Sequence, residues 1–324
     1  VHPARALPLL VTLSILGLFG AWFNLSTGPV PLSLGEALHQ PDSLAAQILW
    51  DLRLPRMMTA FITGALLGVA GTLMQVLLRN PLADPYILGV SGGASVGALL
   101  MIMTGAGTLA LQGGAFAGAL ISMLLVFSLA HGRGGWDTTR LLLTGVVLAA
   151  GWGAVISLLL ALSADTRLQG MLFWLMGDLS YAPTALPGGL LLVLLLPATL
   201  VVAPALNLLA TGELQAASLG VAVARLRVFI YFAASLATAA AVIQAGNIGF
   251  IGLIAPHLLR LTGARDHRVL IPAVLLLGGT LLCVADALSR LLIAPQQLPV
   301  GVLTALLGVP LFLLLLYRAR LFQK

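Results

Sequence analysis

Ten apolar runs divide almost the whole chain: about Leu7–Leu25, Met57–Leu78, Tyr86–Thr104, Leu109–Ala130, Arg140–Leu162, Leu186–Leu209, Val228–Gln244, Ile248–Leu261, Val269–Ile293 and Val300–Tyr317. A bilayer core of about 30 Å is crossed by roughly 20 helical residues, so this pattern predicts an all-α polytopic membrane protein with ten transmembrane helices. With 60% hydrophobic and 8% charged residues there is too little polar surface to coat a water-soluble shell. One transmembrane domain is expected over residues 1–324. Arg5 precedes the first run as in a signal peptide, but the flank carries one charge and no small-residue cleavage site, so a retained first span is expected. The eighth run is broken by Gly246, Gly249, Gly252 and Pro256, and lipid tolerates irregular backbone only where protein or a water-filled path shelters it.

The charges read as topology. A net charge of +6 would point to nucleic acid in a soluble protein, yet the arginines stand at the ends of apolar runs, and no nucleic-acid partner is expected. With both termini cytoplasmic, Arg5, Arg79, Arg133, Arg140, Arg225, Arg227, Arg260, Arg265, Arg268, Arg318, Arg320 and Lys324 lie at the inner face. Arg53, Arg56, Arg167 and Arg290 are left outside. The single Cys283 sits in an apolar run, where it reads as a small core residue.

Between the sixth and seventh runs lies a soluble-looking interruption, Thr211-Gly212-Glu213-Leu214-Gln215-Ala216-Ala217-Ser218-Leu219-Gly220. Its glycine borders and mixed polarity predict a short cytoplasmic helix, in a segment spanning 211–222, that offers a soluble partner a handle.

What drives such a protein follows by subtraction. A P-loop needs a lysine after its glycines, and the only lysine is Lys324. An ion-coupled carrier, one alternative reading, keeps carboxylates near the bilayer midplane, but none of the ten acids falls at the centre of a predicted span. Asp286 comes nearest, and its spacing from Arg290 predicts an ion pair on one helical face. Energy is therefore expected from another polypeptide bound at the Glu213 helix. An inverted repeat relating spans two to five and seven to ten would place Gly71–Pro81 opposite Gly246–Pro256, but one shared interval among 36 Gly and 17 Pro does not exceed chance.

Several motifs stand in register along the chain: Asp51-Leu52-Arg53-Leu54-Pro55-Arg56, Gln75, Arg79 through Pro85, Leu88 through Ala94, Thr139 through Gly145, Trp174 through Gly177, Gly212-Glu213 to Leu219-Gly220, Gly249 through His257, Asp266-His267-Arg268 and Leu298 through Gly301. Together they resemble the FecCD family of ABC-importer permeases, which includes cobalamin and haem permeases, over essentially the whole length. The resemblance implies a type II importer fold and a homodimer with its pathway on the two-fold axis. It also implies two ATP-binding cassette subunits below, a periplasmic substrate-binding protein above, and a bacterial inner-membrane location. ATP and magnesium would bind the partner subunit, and this chain would carry no catalytic residue, cofactor or metal. The implied cargo is a large iron chelate or tetrapyrrole, haem or a ferric siderophore, with cobalamin as the alternative.

Residue roles follow the same resemblance. Gly212, Glu213, Leu214, Ala217, Leu219 and Gly220 match the coupling helices that fit a cleft in the ATPase. Arg53, Arg56 and Arg290 match outer arginines that pair with carboxylates of the binding protein, the alternative being interfacial snorkelling. Asn80 with Asp137, Thr138 and Thr139 matches a cytoplasmic gate, although a solvated turn would use the same residues. Arg167 stands at the cavity mouth, where it either meets an acidic cargo or pairs locally with Asp165 or Asp178.

Two further patterns lead elsewhere. Gly89-Val90-Ser91-Gly92 fits the serine motif of intramembrane proteases with His257 as base, but the small-residue run Gly89 through Gly97 is the usual composition of close helix packing. His257, Asp266 and His267 would suit a metal, yet their place beside Arg260, Arg265 and Arg268 at an inner helix end favours capping and headgroup contact.

Overall fold

The computed structural model describes residues 3–28, 30, 32–132, 135–136, 138–181 and 184–321. The regular structure of the described residues is helical, apart from a two-residue hairpin pairing His131–Gly132 with Gly135–Trp136. The helices are α1 Pro3–Ser26, α2 Leu34–His39, α3 Leu44–Gln47, α4 Leu54–Leu77, α5 Val90–Thr104, α6 Thr108–Ala130, α7 Thr138–Leu162, α8 Asp165–Leu175, α9 Leu186–Thr211, α10 Glu213–Ser218, α11 Val223–Ala245, α12 Ile251–Leu261, α13 His267–Leu291 and α14 Val300–Leu321.

Seven apolar helices among the described residues have the length to cross a membrane, and the apolar parts of α5, α12 and α14 are shorter. These ten fall on the ten apolar runs of the sequence. Two boundaries differ from expectation. The third run starts at Tyr86, but Pro85–Leu88 forms a 3-10 turn and α5 begins only at Val90, after left-handed Gly89. The eighth run starts at Ile248, but residues 246–250 are non-helical and α12 begins at Ile251. Proline at 85 lacks an amide proton, and the glycines at 246 and 249 lower the cost of leaving the helix, so both breaks have local causes.

α4 forms the axis of the subunit. Its most apolar window is 89% buried, against 6% for α7, so neighbours surround the first while the second lies at the periphery. Small residues permit this closeness, as expected where apolar helices gain little from leaving lipid and associate through packing. Gly64 of α4 faces the Gly278 carbonyl of α13, Gly71 faces the Gly252 carbonyl of α12, and Gly93 of α5 meets Gly118 of α6. A side chain at any of these positions would strike backbone.

Candidate functional site

The described polar features gather at three levels. At the ends of α4 and α13 remote from Arg79, Arg260 and Arg265, Asp286 is completely buried and surrounded by cations. Arg56 approaches Asp286 Oδ1 at 2.9 Å through both Nε and Nη2, while Arg290 Nη2 lies 3.1 Å from Oδ2. Asn24 of α1 donates to the same carboxylate at 3.0 Å. The predicted pair of Asp286 with Arg290 is therefore present, within a wider network that sequence spacing did not reveal. Arg53 and Arg290 are 6% and 5% exposed. Arg53 donates to the carbonyls of Leu25 and Val30, and Arg290 to those of Thr27 and Asn24, so both hold the end of α1 and the loop after it. Arg56 reaches furthest outward, with Nη1 on Ser180 and Gln297. The three arginines line one cavity of about 500 Å³, together with Asp51.

Midway lies the irregular backbone. The Tyr86 hydroxyl accepts from the Ile248 amide at 3.1 Å and donates to the Ile248 carbonyl at 3.0 Å, closing the break before α12 with a residue from the break before α5. Asn247 donates to Ser95 at 3.3 Å. Phe250 adopts φ 71° to turn the chain into α12, and its ring packs where only a glycine, Gly308 of α14, leaves room. The third and eighth runs are thus the short, interrupted pair, joined by hydrogen bonds. Tyr86 and Asn247 carried no sequence signal beyond their place beside the interruptions.

At the opposite face, the expected short helix is present as α10. Gly212 has φ 147°, ψ 149° and Gly220 φ 85°, both with open space around them, so glycine is required there by backbone conformation. Ala216 is buried against the bundle, whereas Leu214 is 90% and Leu219 60% exposed, and Ala217 is also exposed. Glu213 pairs with Arg227 of α11, and Arg227 also donates to the Thr138 hydroxyl at 3.3 Å. One arginine, which the sequence offered only as an inner-face charge, therefore joins the Glu213 segment to the gate candidate at the start of α7. Thr139 is exposed, and Asp137 lies outside the described residues. Asn80 is exposed, and its Oδ1 accepts from the Leu82 amide at 2.9 Å, an Asx turn.

Arg167 is exposed in the first turn of α8 beside Gly105. Among the described residues it forms no ion pair with Asp165 or Asp178; Asp178 instead accepts from the Ser180 amide. Cys283 is buried in α13. Ser91 belongs to a packing seam in which Gly92 abuts Trp152, while His257 meets the Phe312 ring edge-on with centroids 5.6 Å apart. Asp266 caps α13 through the Arg268 amide at 2.9 Å and accepts from Asn207 at 2.8 Å. Burial pushes its carboxyl up, but these hydrogen bonds and the Arg268 charge outweigh that and hold it below the ordinary carboxylate range.

Comparison with known proteins places this geometry. A model of the FecCD transport family matches residues 14–318. The chain is 41% identical over 297 residues to the uncharacterized ABC transporter permease protein YvrB of Bacillus subtilis, covering 88% of this chain and 82% of that one. It is 38% identical over 317 residues to the vitamin B12 import system permease protein BtuC of Escherichia coli, covering 96% and 95%. Among solved structures, an inward-facing chain described as of the metal-chelate ABC transporter type superposes with a TM-score of 0.84 at 32% identity, covering 96% and 99%. PsaBC of Streptococcus pneumoniae, at 16% identity and a TM-score of 0.55, shares the fold alone.

Proposed function

The chain belongs to the FecCD transport family and is a multi-pass permease of the ABC-transporter type; from that premise we propose that it is the import subunit for a large metal chelate or tetrapyrrole, working as a homodimer. Two ATP-binding subunits engage its cytosolic face, and a periplasmic binding protein delivers cargo at the other. Ten spans cross the bacterial inner membrane, with both termini in the cytoplasm. ATP and magnesium sit on the partner subunit, and this chain performs no chemistry.

The observation that carries the reading is α10, a six-residue helix set off by two conformationally obligatory glycines, with Leu214 and Leu219 held out in water. Apolar side chains raised on a rigid knob mark a protein contact. Glu213 and Arg227 connect that knob to Thr138, so a push on α10 reaches the inner end of α7 through charged and hydrogen-bonded contacts. Thr138 and Thr139, with Asp137, and Asn80 form the gate. Arg56, the most outward of the three arginines, presents the docking charge that Arg53 and Arg290 support from below. Arg167, without an ion pair among the described residues, stands at the cargo's entrance.

Within the cargo class, family resemblance puts haem or a ferric siderophore first. The vitamin B12 permease relatives are the specific observation favouring cobalamin. Uptake into proteoliposomes containing the permease, its ATP-binding subunit and its binding protein decides this, with haem, a ferric siderophore and cyanocobalamin supplied in turn. ATP-dependent accumulation of one of them is expected. Uptake that follows a proton or sodium gradient and ignores ATP would overturn the proposal.

A further inference from the structure

The cytosolic ends of α4, α9 and α12 and the start of α13 border a second cavity, of about 290 Å³, lined by Gln75, Arg79, Ala210, Arg260, Arg265 and His267, with no carboxylate among the described residues of its lining. The neighbouring acid, Asp266, is engaged with Asn207 and the Arg268 amide. We propose that this cavity is an oxyanion site that receives a carboxylate side chain of the ATP-binding subunit, an inference that rests on reading the chain as an ABC permease.

One buried donor points to a missing ligand. Gln75 is 4% exposed and its Oε1 accepts from Arg260, but its Nε2 has no partner among the described residues. His267 is 3% exposed, and its Nδ1 donates to Asn207 Oδ1 at 2.6 Å, which leaves Nε2 of the neutral ring a lone pair rather than a donor. Buried polar atoms are ordinarily satisfied, so an idle amide donor in a cavity lined by three arginines calls for an acceptor. Helix C-termini attract cations, and that accounts for Arg260. It does not account for the idle Gln75 amide.

The backbone supplies an independent sign. Four helices end in the same hydrogen-bond pattern, in which the left-handed residue donates three back and its successor five back. After α5, α10 and α12 that residue is Gly105, Gly220 and Gly263, with φ of 72°, 85° and 90°. After α4 it is Arg79, at φ 47°. An L-residue with a side chain is strained there, and at this cap the strained arginine lines the cavity.

The partner rather than a lipid is favoured by position. The cavity is roofed by the end of α4, the most enclosed helix, and Ala210 on its wall lies in the same last turn of α9 that leads into Gly212. It thus continues the face presented by α10, where a rigid cytosolic protein would already be seated.

Full-length permease in phosphatidylcholine nanodiscs is titrated with the purified ATP-binding subunit. Arg79→Gly and Arg265→Gln should each weaken association about tenfold and flatten its salt dependence. Arg79→Gly should at the same time raise the thermal unfolding midpoint, because glycine relieves the left-handed backbone; a merely structural arginine would leave association unmoved. Equal affinity of both variants and wild type overturns the proposal. So does native mass spectrometry showing phosphatidylglycerol or inorganic phosphate retained by wild type and lost from the variants, with partner affinity unchanged. A wild type that binds no ATP-binding subunit defeats the ABC reading itself.

Discussion

Asp286 shows how a single carboxylate organises one end of the molecule. It is fully buried, and among the described residues its carboxylate is met by Arg56, Arg290 and Asn24, which come from three different helices. Removing one member of a buried ionic cluster leaves uncompensated charge and typically costs about 3–5 kcal/mol. Asp286→Ala is accordingly expected to lower the unfolding midpoint of the detergent-solubilised protein sharply, whereas Asp51→Ala, at an exposed position on the rim of the same cavity, should leave it nearly unchanged. Equal midpoints for the two variants would refute the keystone role. The spacing of Asp286 and Arg290 made their pair legible in the sequence. Arg56 and Asn24 were not legible as its partners, because both lie more than 200 residues away along the chain and nothing local encodes the approach of α1 and α4 to α13.

At the scale of elements, the informative quantity is the distance between backbones. Hydropathy located the ten apolar runs well, since a membrane-crossing helix must be apolar along its length. It placed the starts of α5 and α12 too early, because Tyr86–Gly89 and Ile248–Phe250 are as apolar as the helices they precede. Their non-helical backbone comes from proline, glycine and the Tyr86 contact, which hydropathy does not register. The short helices α2, α3 and α8 were missed for the converse reason, being too short and too mixed in polarity to leave a periodic signal. The small-residue run Gly89 through Gly97 did predict a packing seam, where Gly93 meets Gly118 and Gly97 meets Gly114, and glycines elsewhere in the bundle give a direct check. Gly71→Val would drive a side chain into the Gly252 carbonyl and should destabilise by roughly 1–3 kcal/mol. Gly113→Ala, facing open space on α6, should be neutral to within about 0.5 kcal/mol. Thermal unfolding in one detergent ranks them, and similar losses from both would contradict the packing account.

For the whole molecule, α7 is the telling element. Almost none of its apolar window is covered by the rest of the subunit, and Gly151 and Gly153 have nothing beside them, so its face is left for a second copy, lipid or a pathway. Thr138 at its start is linked through Arg227 to α10, which rests on the bundle through Ala216 and leaves Leu214 exposed. The central claim is that movement of the passage is imposed from outside through residues 212–220. Its most direct measurement is ATP-driven uptake by reconstituted transporter in which the Glu213–Leu219 segment is scrambled between intact Gly212 and Gly220. Uptake should be lost while the permease still folds and pairs with its second copy; undiminished uptake from the scrambled protein would contradict the account.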